Sequence, residues 1–258
     1  MLPLIKGFLK QTLIDWEGKI ASEIFLPGCN FRCPICHSAH LVINPNTLES
    51  IPFYSVRDFV REQKKWIDGV VICGGEPCIH REIESLCSEF KQLELGVKID
   101  TNGSFPEVLE SLLDKRLVDF VSMDIKAPID DTYRAIAGVD VDLAAIGKSI
   151  ALLQKGEVDH EFRTTVCSFF LDKSDILNIA KTIDGARKYV LQEFKGGTCL
   201  DPTLNSYQSF SRDELKELAI QCAEYVESCY VRGESPAQAR TKQPTQPPKT
   251  AEKNNEGS

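Results

Sequence analysis

Six short apolar runs alternate along this chain with longer segments whose apolar residues recur at three- and four-residue spacing. That alternation restricts the fold more than any other feature. The runs span 20–26, 70–73, 97–100, 120–125, 161–166 and 189–193, and the periodic segments span 55–67, 79–93, 106–113, 143–153, 174–183 and 212–228. Short apolar runs followed by helix-length periodic segments are repeated βα units, which assemble as a parallel sheet with helices packed against it. Val108, Leu109, Leu112 and Leu113 show the helical period plainly. Pro106 opens that helix, where its missing N–H is not needed. Six strands are too few to close the usual eight-stranded barrel. The expected fold class is therefore α/β, an incomplete (β/α)6 TIM-like barrel with an open lateral face. Ligands of such a fold gather at the C-terminal ends of the strands.

The expected organisation is one partial-barrel domain over 1–232 and a disordered C-terminal tail over 233–258. The tail's 26 residues hold four prolines and seven charges, and three alanines are its only apolar side chains. Such a segment cannot bury enough surface to offset its ordering entropy. Composition then narrows the partners. With 30 basic against 38 acidic residues the net charge is −8 and the pI is near 5.2, so the chain lacks the basic field that holds nucleic acid or an anionic membrane surface. No apolar run is long enough to span a bilayer, and Leu2, Pro3, Leu4 and Ile5 meet Lys6 too soon to form a signal-peptide core. A cytoplasmic location is expected. In a reducing compartment, ten cysteines point to metal binding, redox chemistry or burial rather than to disulfides.

Cys29, Cys33 and Cys36 follow the first strand on one short loop at C-x3-C-x2-C spacing. Three thiolates this close can converge on a single metal centre. A cubane iron–sulfur cluster takes one thiolate per iron, so three cysteines leave the fourth iron open to an exogenous ligand. A structural zinc ion completed by His37 or His40, or three idle thiols, is the alternative, although no second C-x2-C pair follows. The other seven cysteines, Cys73, Cys78, Cys87, Cys167, Cys199, Cys222 and Cys229, have no ligand spacing and read as buried thiols.

Polar residues mark the ends of the remaining strands. The second run ends in Gly74-Gly75-Glu76-Pro77: two glycines let backbone approach a ligand closely, and Glu76 sits favourably where Pro77 opens a helical turn. Asp100 precedes the turn Thr101-Asn102-Gly103. On the fourth strand Ser122, Asp124 and Lys126 share one face. In a barrel that face looks into a functional lumen, or its charges are matched internally, Asp124 with Lys126 or with Arg163 of the fifth strand. Arg163 also suits bidentate carboxylate recognition, and Gln192 on the last strand is expected to reach the bound ligand or the substrate mouth.

Together these motifs resemble the radical S-adenosylmethionine enzymes, whose signature is this cysteine loop after the first strand of a partial barrel. Ile35 stands where that family usually carries an aromatic residue. The resemblance implies a 4Fe-4S cluster held by Cys29, Cys33 and Cys36. It also implies S-adenosylmethionine, its ammonium held by the Gly74, Gly75, Glu76 and Pro77 element and its carboxylate surrounded by Asp124, Lys126 and Arg163. Asp100 and Asn102 would organise the cofactor end of the pocket, and the resemblance allows a monovalent cation there.

Residues 5–19, the cysteine loop and Met123-Asp124-Ile125-Lys126-Ala127-Pro128 are similar to the glycyl-radical-enzyme activating branch, in particular to activating proteins of anaerobic ribonucleoside-triphosphate reductase. The likeness spans most of 5–194. It implies reductive cleavage of S-adenosylmethionine to a 5′-deoxyadenosyl radical, generation of a glycyl radical on a partner enzyme, and reduced flavodoxin or ferredoxin as electron donor. The 37 residues between Cys36 and Gly74 are too few for a second cluster module. A radical enzyme acting on a small molecule, and a non-catalytic zinc or iron–sulfur module, are the competing readings of the sequence.

Overall fold

The computed structural model describes residues 2–234 and 240–241. Seven parallel strands run in chain order: β2 (Ala21–Leu26), β3 (Gly69–Gly74), β4 (Gly96–Thr101), β5 (Phe120–Asp124), β6 (Asp159–Val166), β7 (Tyr189–Glu193) and β8 (Ser228–Val231). β1 (Gly7–Thr12) lies antiparallel beside β2, and β9 (Arg240–Thr241) lies antiparallel beside β8. β1 and β9 are the two edges, so the sheet does not close on itself. Eight helices are described: α1 (Ala39–Ile43), α2 (Phe53–Glu62), α3 (Ile83–Gln92), α4 (Pro106–Asp114), α5 (Asp131–Ala137), α6 (Leu143–Gln154), α7 (Lys173–Thr182) and α8 (Arg212–Cys222). This is the incomplete α/β barrel that the alternating pattern predicts.

Local chemistry sets several helix ends. The Asp142 side chain caps α6 through the N–H groups of Ala144 and Ala145. α7 and α8 start in capping boxes, Asp172 with Asp175 and Ser211 with Glu214. The outward side chains of the sheet pack against the buried faces of these helices in one large core that includes Ile24, Ile72, Ile99, Val121, Phe162 and Leu191.

The structure departs from the sequence pattern in several places: α1 and α5 form outside the expected periodic segments, and the segment expected over 55–67 leaves helix at Glu62. The periodic segment expected to run to 228 leaves helix at Cys222, and 228–231 is strand β8. Pairing of Cys229, Tyr230 and Val231 with β7 decides this, a tertiary preference that helix periodicity cannot register. The chain before the first expected strand also forms β1, which pairs with β2 and covers that edge. Of the segment read as a tail, Arg240–Thr241 pairs with Ser228 and Cys229; 235–239 and 242–258 lie outside the described residues.

The β1–β2 loop forms a floor under the barrel. Trp16 is buried against Gly69 and Gly96, where an added Cβ would stand 2.7 and 2.9 Å from the indole. Glu17 accepts hydrogen bonds from Lys188 Nζ at 2.6 Å and Tyr230 Oη at 3.1 Å, tying this loop to the start of β7 and to β8. The N-terminal end of the barrel is thus filled. The C-terminal end carries the cavity lined by the cysteine loop.

Candidate functional site

A cavity of about 270 Å³ opens at the C-terminal ends of the strands. Cys29, Cys33 and Cys36 line it together with Gly74, Gly75, Glu76, Asp100, Asn102, Asp124, Lys126 and Arg163. The structure therefore gathers at one mouth the cysteine loop and the charged strand-end residues singled out from the sequence. Pro77 is buried behind the wall, Ser122 is buried and donates to Glu161 at 2.8 Å, and Gln192 stands behind Thr165 rather than on the wall.

The cysteine loop is held by backbone contacts on several sides. Gly28 N donates to Leu41 O, Arg32 N donates to Ala137 O, and Asp201 N donates to Pro34 O. Glu76 N donates to Gly28 O at 2.8 Å and Gly75 N donates to Leu26 O at 2.9 Å. A Cβ on Gly75 would stand 1.6 Å from Gly28 O, and one on Gly74, whose φ is +116°, would stand 2.4 Å from Leu26 O. The close approach permitted by these glycines is to the neighbouring loop's own backbone.

Glu76 is buried, and its carboxylate accepts from Cys78 N at 2.9 Å, Thr101 Oγ1 at 2.8 Å and Asn102 N at 2.6 Å. It clamps the end of β3 to the end of β4. Burial pushes its pKa up in spite of these three donors.

Below the mouth the inward-facing charges pair with one another. Arg163 donates from Nε to Asp124 Oδ1 at 2.8 Å and from Nη1 to Asp100 Oδ2 at 2.7 Å. Lys126 Nζ reaches Asp124 Oδ2 at 3.0 Å, and the buried Lys98 reaches Asp100 Oδ1 at 2.6 Å and Asp15 O at 2.5 Å. Both internal pairings of Asp124 open from the sequence are therefore made at once. Burial works against ionising Asp100 and Asp124, but Arg163, with Lys98 and Lys126, holds both carboxyls below the usual range.

Glu23, Lys98 and Thr165 are among the wall or sub-wall residues to which the sequence assigned no role, and Cys73, read as a buried thiol, lines the same wall. Cys73 Sγ donates to Glu23 Oε1 at 3.0 Å, and burial lifts the Glu23 pKa to about 7. Thr165 Oγ1 meets Gln192 Oε1 at 3.5 Å. A signal did exist in the sequence. Glu23 and Lys98 are lone charges inside apolar strands, and in a sheet buried on both sides such a charge has only the lumen to face.

The family model for the radical SAM superfamily matches residues 24–183. The chain belongs to that superfamily. As a radical SAM enzyme it is 32% identical over 240 residues to a Methanocaldococcus jannaschii protein whose name places it among the glycyl-radical enzyme activating enzymes; the match covers 90% of this chain and 97% of the relative. A shorter match, 36% identical over 93 residues, covers 35% of this chain and 38% of the 7-carboxy-7-deazaguanine synthase of Hyperthermus butylicus. The crystal structure of Streptococcus suis SuiB bound to S-adenosylmethionine shares the fold with a TM-score of 0.61 at 15% identity, over 80% of this chain and 48% of that one. Membership in the superfamily implies a 4Fe-4S cluster and S-adenosylmethionine. Among the described residues, no helix is long and apolar enough to cross a membrane.

The thiols offer a chemical test of fit to a cluster. All three are free and face one cavity. Cys29 Sγ accepts from Phe31 N at 3.3 Å and from Asn102 Nδ2 at 3.9 Å, donors of the kind that stabilise a metal-bound thiolate. Burial pushes the Cys29 thiol up to about 11 and raises Cys33, so neither ionises readily without a cation to hold it. No three His, Cys, Asp or Glu groups among the described residues converge as ligands of one ion would. A cubane does not ask for that convergence, since each thiolate binds a different iron.

Proposed function

We propose that this chain is a radical SAM activating enzyme that generates a glycyl radical on a partner protein, with anaerobic ribonucleoside-triphosphate reductase as the partner. The observation that carries the reading is the meeting of three free thiols on one loop with the Asp100–Arg163–Asp124–Lys126 network around a single cavity. The full-length match to the activating-enzyme relative supports it. When bound, the cluster and S-adenosylmethionine would supply reductive carbon–sulfur cleavage to methionine and a 5′-deoxyadenosyl radical.

In this reading Cys29, Cys33 and Cys36 hold the cluster. Gly74, Gly75, Glu76 and Pro77 shape the wall that receives the methionine ammonium; the Glu76 carboxylate, already accepting three N–H or O–H groups, fixes that wall and lends it negative charge. Asp100 and Asn102 hold the neighbouring wall. Asp124, Lys126 and Arg163 form the cationic end that receives the methionine carboxylate, with Lys126 facing Asp124 on one side and Cys33 on the other. The resemblance also allows a monovalent cation beside Asp100, but Asp100 and Asp124 already pair with Lys98, Lys126 and Arg163, so this reading does not depend on one. Residues 1–232 form the catalytic domain in this reading, reduced flavodoxin or ferredoxin supplies the electron, and the enzyme works in the cytoplasm without nucleic acid.

A second reading, radical chemistry on a small heterocycle, draws on the partial match to the deazaguanine synthase. A structural zinc module is disfavoured because His37 stacks on Phe194 at 5.8 Å between ring centroids and, among the described residues, joins no three-ligand group. The deciding experiment mixes anaerobically reconstituted, reduced enzyme with S-adenosylmethionine and a candidate glycyl-radical partner. The expected result is a glycine-centred doublet in the electron paramagnetic resonance spectrum of the partner, lost with Cys33→Ala. Cofactor cleavage with no radical on any partner favours the small-molecule reading, and zinc without iron or sulfide overturns both.

A further inference from the structure

The wall beside Cys29 contains a closed ring of three polar side chains. Asn102 Oδ1 accepts from Ser104 N at 3.0 Å and from Ser104 Oγ at 2.5 Å. Asn102 Nδ2 donates to Asn30 Oδ1 at 2.9 Å, and Asn30 Nδ2 donates back to Ser104 Oγ at 2.9 Å. Each amide has its oxygen and nitrogen assigned by a partner, so neither can flip without losing bonds. With Oδ1 held by Ser104, the amide nitrogen of Asn102 has one direction left, toward Asn30 and Cys29. It lies 3.9 Å from Cys29 Sγ.

The backbone of the same residue is pinned as well. Asn102 N donates to Glu76 Oε2 at 2.6 Å, and Asn102 is buried. A short side chain on a clamped backbone, oriented by a ring of hydrogen bonds, has little freedom to turn its N–H elsewhere. Arrangements of this kind around metal-binding sulfur set the electronics of the centre.

We propose that Asn102 is a positioning residue for the iron–sulfur centre, donating from its amide to the Cys29 thiolate and raising the reduction potential of the cluster. This rests on the cluster assignment made above. The physical cause is electrostatic. Reduction adds one electron to the centre and breaks no bond, and the added negative charge is shared by the ligating sulfurs. An N–H dipole aimed at one of those sulfurs stabilises the more negative state more than the less negative one. Asn30 and Ser104 act through Asn102 by holding that dipole on target, and Phe31 N supplies a second donor that no side-chain substitution removes.

The test is a redox titration of anaerobically reconstituted wild type, Asn102→Ala, Asn102→Asp and Ser104→Ala, followed by visible absorption and electron paramagnetic resonance in the absence of S-adenosylmethionine. At the wild-type midpoint, Asn102→Ala should lower the reduced-to-oxidised ratio about tenfold, which is about 59 mV for a one-electron couple. Asn102→Asp keeps the shape of the side chain and its acceptor for Ser104 while removing the N–H donor, so it should shift at least as far in the same direction. Ser104→Ala should shift less, with the same sign. If Asn102→Ala does not fold, the isosteric variant carries the test. A wild-type cubane whose midpoint is unchanged in Asn102→Asp and Ser104→Ala overturns the proposal alone. A wild-type chain that takes up no iron and sulfide overturns the cluster assignment itself.

Discussion

Gly75 lies against the carbonyl oxygen of Gly28 so closely that a Cβ at position 75 would stand 1.6 Å from it. The contact joins the end of β3 to the start of the cysteine loop through backbone alone, with Glu76 N donating to that same oxygen at 2.8 Å. Neither backbone can retreat without breaking these bonds. Gly75→Ala should therefore destabilise the fold by about 3 kcal/mol, at the upper end of overpacking costs, and displace the cysteine loop. Urea denaturation together with iron content after reconstitution checks this; a variant of wild-type stability with full iron content would show that the loop moves freely.

Arg163 is the common partner of Asp100 and Asp124. Arg163→Ala removes one of the two cations at each carboxylate, leaving Lys98 on Asp100 and Lys126 on Asp124, and should cost about 3 kcal/mol, the low end for breaking a buried ion pair. Arg163→Lys should recover only part of that loss, because a point charge cannot fork between two carboxylates as a guanidinium does. In the lysine variant the cluster signal should persist while affinity for S-adenosylmethionine falls at least about tenfold, a loss of ~1.4 kcal/mol. Calorimetric titration gives the affinity, and an unchanged value would remove Arg163 from the cofactor site.

The charge balance of the same network bears on the monovalent cation. Two carboxylates, Asp100 and Asp124, already face Arg163, Lys98 and Lys126. A sodium or potassium ion placed among them would meet more positive than negative charge. Affinity for S-adenosylmethionine should therefore agree within about twofold in potassium, sodium and tetramethylammonium buffers of equal ionic strength. A strong requirement for potassium or sodium would establish the cation as a working part of the pocket.

Glu23 gives the fold a pH signature. Burial raises its carboxyl from 4.5 to about 7, so between those values the folded chain binds more protons than the unfolded one. Stability from this group is then lost as pH rises through that window. Glu23→Gln keeps an acceptor for Cys73 and has no charge to bury. It should flatten the decline and stabilise the protein by about 2 kcal/mol at pH 8, less than the full shift because the carboxyl keeps some solvent. Thermal melts from pH 4 to pH 8, about the span of the two values, would show it. Parallel curves for variant and wild type would contradict the assignment.

Much of this protein is written locally in its chain. The alternation of apolar runs and helical periods determines the βα order, and the spacing of Cys29, Cys33 and Cys36 determines that three thiols share one loop. Glycine and proline punctuation places Glu76 and Asn102 at strand ends. These features depend on neighbours a few residues away, so they can be read without coordinates. Tertiary structure alone decided that 228–231 becomes a strand, since the choice rests on pairing with β7. It also decided that Trp16 closes the barrel floor, that Gly75 meets Gly28, and that Asp124 is shared by Arg163 and Lys126 while Asn102 turns its amide to Cys29. Each of those contacts joins residues on different strands or loops. Their geometry is set by sheet register and by which charges must find a partner once they leave water, and neither quantity exists until the chain has folded.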